Sequence, residues 1–287
     1  MHASTKWLLA VLCLAAGIAP LAARSIHGQL AEIIYGMVVA SVLLATTLLI
    51  RRSSSLQKFW QLPFAFFVFA LVQILNNFLP AYFSARVLHE HSVSGNPLAS
   101  TVTGSIAIQL LDTLIAIAPI FVLTKVAGLD LGSVFARFGN FGRAYVIAIV
   151  AFVAIYVLIG LFPVHRLFPM HGTITLSRYL ALTPALLVLV ISNGFQEEFL
   201  FRGLFLQKYN LFFGPYVANV LQALIFAFAH AGVTYTPSAL LFILVAVFPL
   251  GLVAGYLMRS SNGALAPALF HAGVDIPIYL AFLTYVS

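Results

Sequence analysis

Residues 179–203 read YLALTPALLVLVISNGFQEEFLFRG, an apolar run that ends in two adjacent glutamates and an arginine. The apolar part is close in length to the ~20 residues that cross the hydrocarbon core of a bilayer. The two glutamates, Glu197 and Glu198, therefore fall at the end of a predicted membrane span, where carboxylates are costly and usually mark a functional site. This stretch predicts a transmembrane helix that carries candidate site residues.

The rest of the chain has the same apolar character. Of its 287 residues, 62% are hydrophobic and 7% are charged, whereas soluble domains carry roughly 25% charged residues. Helices are expected because each span must satisfy its own backbone hydrogen bonds in lipid. The predicted fold is all-α, a polytopic transmembrane helix bundle of about 8–9 spans. The candidate spans are residues 7–23, 29–50, 60–84, 104–124, 144–163, 179–201, 214–230, 237–258 and 263–284.

The first candidate span has two interpretations. Lys6 precedes its apolar run and Leu21-Ala22-Ala23 follows it, a pattern that also fits a signal peptide with a small-residue cleavage site. The single cysteine of the chain, Cys13, lies in this segment, so we expect no intramolecular disulfide and no cysteine-based metal cluster. A later connection, residues 126–143, carries apolar and basic residues and is either an interfacial helix on the membrane surface or an ordinary loop.

The basic residues indicate how the spans are oriented. A net charge of +7 could suggest a nucleic acid or anionic lipid partner, but most of the positive charge falls on one side of a nine-span arrangement, which is the positive-inside pattern. On that side are Lys6, Arg51, Arg52, Lys58, Lys125, Arg137, Arg143, Arg202, Lys208 and Arg259. On the other side are Arg24, Arg86, Arg166 and Arg178. We therefore predict a cytoplasmic N-terminus, contact with membrane lipid and no nucleic acid partner.

The glutamates at the end of the sixth span have different helical neighbours. Glu198 and Arg202 are four residues apart and share a helix face, so they can form an ion pair. Glu197 points about 100° away and lacks a local cation, which suits a general base. The alternatives are that Glu198 and Arg202 form only a structural pair and that Glu197 is a snorkelling surface carboxylate.

Two histidines fall within predicted spans, His230 at the end of the seventh and His271 in the ninth. A lone buried histidine is more often a hydrogen-bonded core residue than a catalyst. Asp275, however, follows His271 by one turn on the same face and could hold its imidazole in one tautomer. Because polar groups in a membrane bundle face inward, we expect Glu197, His230, His271 and Asp275 to meet at one site.

Several other chemistries lack their motifs in this chain. There is no G-x-S-x-G serine site, no H-E-x-x-H zinc helix, no G-x-G-D aspartyl signature and no phosphate-binding G-x-x-x-x-G-K-[ST] loop. A proton-relaying transporter would need polar residues along a path across the bilayer, whereas here they cluster toward one side. No cofactor is certain, but zinc held by Glu197, His230 and His271 with an open fourth position remains an alternative.

These residues form three motifs in order along the chain. They are Glu197-Glu198-x-x-x-Arg202, Phe226-x-x-x-His230 and His271-x-x-x-Asp275. Over about residues 185–280 the chain resembles the CPBP or Abi family, the CAAX-type prenyl-protein endopeptidases and bacteriocin-processing enzymes. The resemblance implies an intramembrane endopeptidase in which Glu197 and His230 activate water. It also implies that His271 and residue 275 orient the substrate carbonyl or stabilise the oxyanion, with Glu198 and Arg202 in support.

One residue departs from the family pattern. The Ras-converting members carry asparagine at the position of Asp275, and asparagine can donate a hydrogen bond to an oxyanion whereas an ionised aspartate cannot. Asp275 is therefore either protonated or serves only to orient His271.

The predicted activity is hydrolysis of a peptide bond in a membrane-associated protein or peptide. Hydrolysis needs water at that depth, so we predict a cavity open to the cytoplasm. The chain divides into N-terminal spans over 1–143 and a catalytic core over 144–287, in a multi-pass protein of the bacterial inner membrane. The alternative function is a non-catalytic bacteriocin self-immunity or membrane scaffold protein of the same fold.

Overall fold

A computed structural model describes residues 3–162, 170–231 and 239–287, and these residues form a bundle of helices. The helices are α1 (Ala3–Ile18), α2 (Gln29–Arg52), α3 (Gln61–Phe83), α4 (Val102–Val126), α5 (Arg143–Leu161), α6 (Leu176–Glu197), α7 (Leu204–Phe213), α8 (Pro215–Ala229), α9 (Ala239–Phe242), α10 (Phe248–Ser261) and α11 (Leu265–Thr284). Seven helical stretches among them are long and apolar enough to cross a membrane, and α1 and α8 are shorter apolar helices. The predicted all-α membrane bundle is confirmed.

Two helix ends differ from the predicted spans more than the others do. The sixth helix does not stop at residue 201, because a π-helical segment over Glu198–Gly203 joins α6 to α7 and the helix continues to Phe213. The following Gly214 has a φ of 78°, a conformation that ends helices. The first helix ends at Ile18 rather than at residue 23, since Pro20 disfavours helical conformation in the residue before it. Arg166 and the predicted span ends at 163 and 237–238 lie outside the described residues.

The connection between α4 and α5 is a loop rather than an interfacial helix. Its one helical element is a short 3-10 turn at Leu131–Val134. Val134 and Phe135 are buried in the bundle, while Phe138 and Phe141 are each 76% exposed. Of the two interpretations of residues 126–143, the structure therefore has the ordinary loop, anchored by apolar side chains that point into the bundle.

One end of the bundle, the basic end, is formed where α2, α4, α7 and α10 finish and where α3, α5, α8 and α11 begin. Hydrogen bonds join its loops: the Asn140 N–H donates to Ser261 O at 2.5 Å, and Lys208 Nζ donates to Ser133 O at 3.1 Å. Most of the basic residues predicted to share one side lie in these loops and helix ends. The predicted one-sided charge distribution therefore matches the fold.

The opposite end of the bundle holds the start of α6 and the finish of α11. There Arg178 Nη2 donates to Thr284 O at 3.1 Å, and the backbone N–H of His171 donates to Thr284 Oγ1 at 2.9 Å. Arg86 and Arg24 also lie in connections on this side of the fold.

Helices from both predicted parts of the chain share one hydrophobic core. Cys13 of α1, Phe69 of α3 and Ile120 of α4 pack in the same cluster as Phe205 of α7 and Ile225 of α8. Without a hydrophobic driving force in lipid, such helix contacts depend on close packing. The division into residues 1–143 and 144–287 stays a prediction, and the N-terminal helices supply part of the core beside the site.

Candidate active site

The junction of α6 and the π-helical segment turns the two glutamates in different directions. Glu197 is the last residue of α6 and its side chain is 20% exposed. Glu198 is the first residue of the π-helical segment and is fully buried. Single π turns inside α-helices occur frequently at functional sites. Here the turn presents Glu197 to a cavity and Glu198 to the helix packing behind it.

Glu198 holds two partners with one oxygen atom. Its Oε1 lies 2.9 Å from Arg202 Nη1, which is the predicted ion pair, and 2.8 Å from His271 Nδ1. The Arg202 guanidinium lies over the Phe226 ring, with Cζ 4.1 Å from the ring centroid. Among the described residues none accepts a well-aligned hydrogen bond from it, so charge and ring contact hold this cation.

The structure assigns the orientation of His271 to Glu198 and not to Asp275, which corrects the prediction from sequence. Asp275 Oδ2 lies 3.8 Å from His271 Nε2, which is too long for a hydrogen bond. It instead accepts a hydrogen bond from Asn193 Nδ2 at 2.8 Å. Asn193 lies one helical turn before Glu197, and no role was assigned to it from sequence.

His230 caps the end of α8 with its ring turned toward Glu197. Its Nδ1 lies 2.9 Å from the carbonyl oxygen of Phe226, so Nδ1 carries the proton that this contact needs. In the neutral ring Nε2 is then an acceptor. His230 Nε2 lies 3.8 Å from Glu197 Oε2, on the side of the ring away from that carbonyl.

Glu197 Oε2 lies between two histidines without bonding directly to either. It is 3.8 Å from His230 Nε2 and 3.6 Å from His271 Nε2, and no described residue donates a hydrogen bond to it. A buried carboxylate oxygen without a protein donor is typically satisfied by water. Both separations are of the length at which a bridging water should be considered. The cluster predicted from sequence therefore forms, with Glu197 Oε2 at its centre and without a donor among the described residues.

Helix α4 also contributes to the support of this site. The side chain of Gln109 donates through Nε2 to Gln196 Oε1 at 2.9 Å and accepts from the Tyr279 hydroxyl through Oε1 at 2.7 Å. Gln196 precedes Glu197, and Tyr279 is one turn beyond Asp275. Gln109 thus links α4 to both helices that carry the carboxylates.

A second contact from the N-terminal half reaches the end of α8. Arg24, in the connection between α1 and α2, donates through Nη1 to Ala229 O at 3.0 Å and through Nη2 to Gln73 Oε1 at 3.0 Å. Ala229 directly precedes His230. The charge pattern predicts Arg24 on the sparsely charged side, but nothing in the sequence indicates this contact.

The cluster lies at one end of a cavity of about 320 Å³. Its remaining walls are mostly apolar and come from α5, from the stretch from α9 to α10, and from α11. They include Ile155, Phe242, Ala246, Val247, Leu250, Val274, Ile278 and Phe282. The sequence predicted a cavity open to the basic, cytoplasmic end of the bundle, whereas these lining residues lead from the cluster toward the opposite end.

The described residues contain no group of three histidine, cysteine, aspartate or glutamate side chains arranged to hold a metal ion. The predicted zinc set of Glu197, His230 and His271 does not have that arrangement. Zinc at this site stays a prediction.

Residues 179–277 match a family model described as Type II CAAX prenyl endopeptidase Rce1-like. This segment is an Rce1-like domain. The resemblance to CAAX-type endopeptidases predicted from sequence is thereby confirmed. The Rce1-like domain contains all six predicted site residues, and its family is a protease family. The protein is a multi-pass membrane protein with a domain of the protease class. No curated protein and no solved structure matches the chain.

Proposed function

We propose that this protein is an intramembrane endopeptidase of the CAAX-protease type, in which Glu197 and His230 activate a water molecule. One observation carries the proposal: Glu197 Oε2 is buried without a protein donor and lies 3.6 and 3.8 Å from the Nε2 atoms of two histidines. The position of this cluster at the inner end of a cavity supports it. The family of the Rce1-like domain supports it independently.

The proposed reaction uses Glu197 first as a base and then as an acid. A water molecule donates a hydrogen bond to His230 Nε2 and transfers its other proton to Glu197. At the same time the water oxygen forms a bond to the peptide carbonyl carbon. The tetrahedral intermediate then collapses, the carbon–nitrogen bond breaks, and Glu197 returns the proton to the departing amine. Proton transfer by a positioned side chain contributes about 10²–10⁴-fold to such a reaction.

In this proposal His271 stabilises the oxyanion of the intermediate. Nδ1–H donates to Glu198, which leaves Nε2 facing the cavity. Three carboxylates surround the ring, at 2.8 Å for Glu198, 3.6 Å for Glu197 and 3.8 Å for Asp275. When both ring nitrogens of His271 carry a proton, Nε2–H can donate to the developing oxyanion.

The test compares membrane-protein fragments in cells that express the wild type or Glu197→Gln at matched levels. Glu32→Gln is the matched control, because Glu32 accepts a hydrogen bond from Asn77 Nδ2 at 2.7 Å and does not line the cavity. We expect fragments that occur with the wild type and the control and disappear with Glu197→Gln. Identical patterns in all three strains would favour the self-immunity or scaffold alternative.

A further inference from the structure

The direction of the cavity is given by three separate helices. On α11 the lining runs from His271 to Phe282, toward the C-terminal end of the helix. On α6 it runs from Glu197 back to Asn193, toward the N-terminal end. These two helix ends meet at the opposite end of the bundle, where Arg178 bonds to Thr284 O.

The third helix agrees with the other two. Lining residues run from Leu250 in α10 back through Val247 to Phe242 in α9. Because α10 finishes at the basic end, where Ser261 O accepts from the Asn140 N–H, moving back along it leads away from that end. On all three helices, therefore, the residues that line the cavity extend from the polar cluster toward the opposite end of the bundle.

On the basic side of the cluster the bundle is filled. Glu198, Arg202 and Phe226 are fully buried there, and the Arg202 cation stacks on the Phe226 ring. One turn nearer the basic end of α8, Gln222 is fully buried and donates through Nε2 to Gly251 O of α10 at 2.9 Å. Of these four residues only Phe226 lines the cavity. The side chains of Glu198, Arg202 and Gln222 therefore lie between the polar cluster and the basic end.

The charges indicate which side of the membrane each end faces. Lysine and arginine in short loops mark the cytoplasmic side of a membrane protein. Basic residues lie in or beside the described loops that join α2 to α3, α4 to α5 and α10 to α11: Arg51, Arg52, Lys58, Lys125, Arg137, Arg143 and Arg259. At the opposite end the described basic residues are Arg24, Arg86 and Arg178, and two of these bond to backbone carbonyls of the bundle.

We infer that the cavity admits its substrate from the exoplasmic side of the membrane. Resting on the proposed function, the substrate class is an exported or membrane-anchored polypeptide that presents an apolar segment to the bilayer from that side. The apolar cavity walls, among them Ile155, Val274 and Ile278, fit apolar side chains next to the bond that is cut. The few polar groups at the inner end then fix the orientation of the peptide, as in other mostly apolar pockets.

Cysteine accessibility tests this direction, and the chain needs one substitution to become cysteine-free, because Cys13 is its single cysteine. In the Cys13→Ser background, Ile278→Cys reports on the cavity wall. Ser92→Cys reports on the opposite end and Ser54→Cys, exposed between α2 and α3, on the basic end. Intact and permeabilised cells are treated with a small sulfonate-bearing methanethiosulfonate, which does not cross membranes, and unreacted thiols are counted after denaturation.

The inference predicts that Ile278→Cys and Ser92→Cys react to the same extent in intact and permeabilised cells, while Ser54→Cys reacts only after permeabilisation. Reaction of Ile278→Cys only after permeabilisation, together with Ser54→Cys, would overturn it. Failure of Ile278→Cys to react in either condition while Ser92→Cys reacts would also overturn it, because the wall would then not be reached by water. Reaction of Ser54→Cys in intact cells would show that the bundle is oriented the other way and would equally reject it.

The same labelling separates this inference from the proposed function, because it needs no proteolysis. It is repeated with Glu197→Gln added to each cysteine variant. If the protein with Glu197 intact shows no protease activity and its Ile278→Cys still reacts from outside, the inference stands and the endopeptidase proposal is rejected. An active protease whose Ile278→Cys reacts only from inside rejects the inference and keeps the endopeptidase.

Discussion

Glu198 has two direct partners, and these determine what a substitution there would do. Its Oε1 contacts both Arg202 and His271, and Arg202 stacks on Phe226. The neutral amide of glutamine keeps an oxygen that can accept from His271 Nδ1 but removes the charge beside a fully buried arginine. Glu198→Gln therefore removes the negative charge beside Arg202 while it keeps an acceptor that orients the His271 ring.

We predict that Glu198→Gln destabilises the protein, because breaking a buried ion pair from one side leaves an uncompensated charge and costs about 3–5 kcal/mol. The measurement is thermal unfolding of the purified protein in detergent. Glu198→Gln combined with Arg202→Met should recover part of the loss, since no unpaired charge remains. An unchanged unfolding temperature for Glu198→Gln alone would contradict the role of the pair.

We predict that Asp275→Asn lowers the cleavage rate by no more than about tenfold. Removing an oxyanion donor would lower it by ~10²–10³-fold. An asparagine keeps an oxygen that can accept from Asn193 Nδ2, and its own amide can donate toward the cavity. Peptide cleavage rates of the purified variants measure this, with Asp275→Ala as the variant that loses both functions. Complete inactivity of Asp275→Asn would mean that the ionised carboxylate itself is required.

Chelation tests the zinc alternative for Glu197, His230 and His271. Because no described group of three such side chains is arranged for a metal ion, we predict that cleavage by the purified protein is unchanged after treatment with a strong chelator and dialysis. Loss of activity that added zinc restores would favour the three residues as zinc ligands.

At the residue scale the sequence predicted the meeting of Glu197, His230, His271 and Asp275, because ionisable residues in a membrane bundle face inward. It missed the bond between Glu198 and His271. An ideal α-helix gives each side chain a fixed angle, and the π-helical segment that begins at Glu198 changes that angle. A contact between two distant helices also depends on packing that no spacing within one helix reveals.

Helix α8 has 15 residues, and it ends at Ala229, directly before His230. The final carbonyls of a helix have no partner within the helix, so a donor from elsewhere must satisfy them. Arg24 supplies one to Ala229 O, the carbonyl next to His230. A cation at a helix C-terminus also interacts favourably with the helix dipole. Arg24 therefore positions the end of α8, which carries one of the histidines of the site.

We predict that Arg24→Gln lowers the cleavage rate about 2- to 30-fold, which corresponds to the ~0.3–2 kcal/mol of a cation at a helix C-terminus. Arg24→Lys should keep part of the cleavage rate that Arg24→Gln loses, because lysine retains the positive charge. Arg86→Gln is the control, since Arg86 also lies on the side opposite the basic end but has no side-chain hydrogen bond to α8 in the described structure. Equal rates for Arg24→Gln and the wild type would show that α8 needs no such cap.

At the scale of helices, the apolar runs predicted where the chain crosses the membrane, because bilayer thickness sets their length. They did not predict where the sixth helix ends, because no strong breaker precedes Gly214 and Pro215. They also left the segment over 126–143 open. Apolar residues there are consistent with either a membrane surface or a loop whose side chains, such as Val134 and Phe135, are buried by the bundle.

For the whole molecule, composition predicted the fold class and the basic residues predicted the grouping of the loops. The direction of the cavity could not be read from sequence, because it depends on which half of each helix lies behind the polar cluster. The Rce1-like match covers residues 179–277, yet α1, α3 and α4 supply part of the core and Gln109 reaches the site. The N-terminal half is therefore expected to be necessary for a functional site.

The central claim is that Glu197 activates water for attack on a peptide bond. Its most direct test incubates purified wild type, Glu197→Gln and Glu32→Gln with a library of membrane-derived peptides in ¹⁸O-labelled water, and identifies products by mass spectrometry. We predict that the wild type and Glu32→Gln generate new C-termini that carry ¹⁸O, and that Glu197→Gln forms them about 10²–10⁴-fold more slowly. No cleavage by the wild type, or equal cleavage by Glu197→Gln, would contradict the claim.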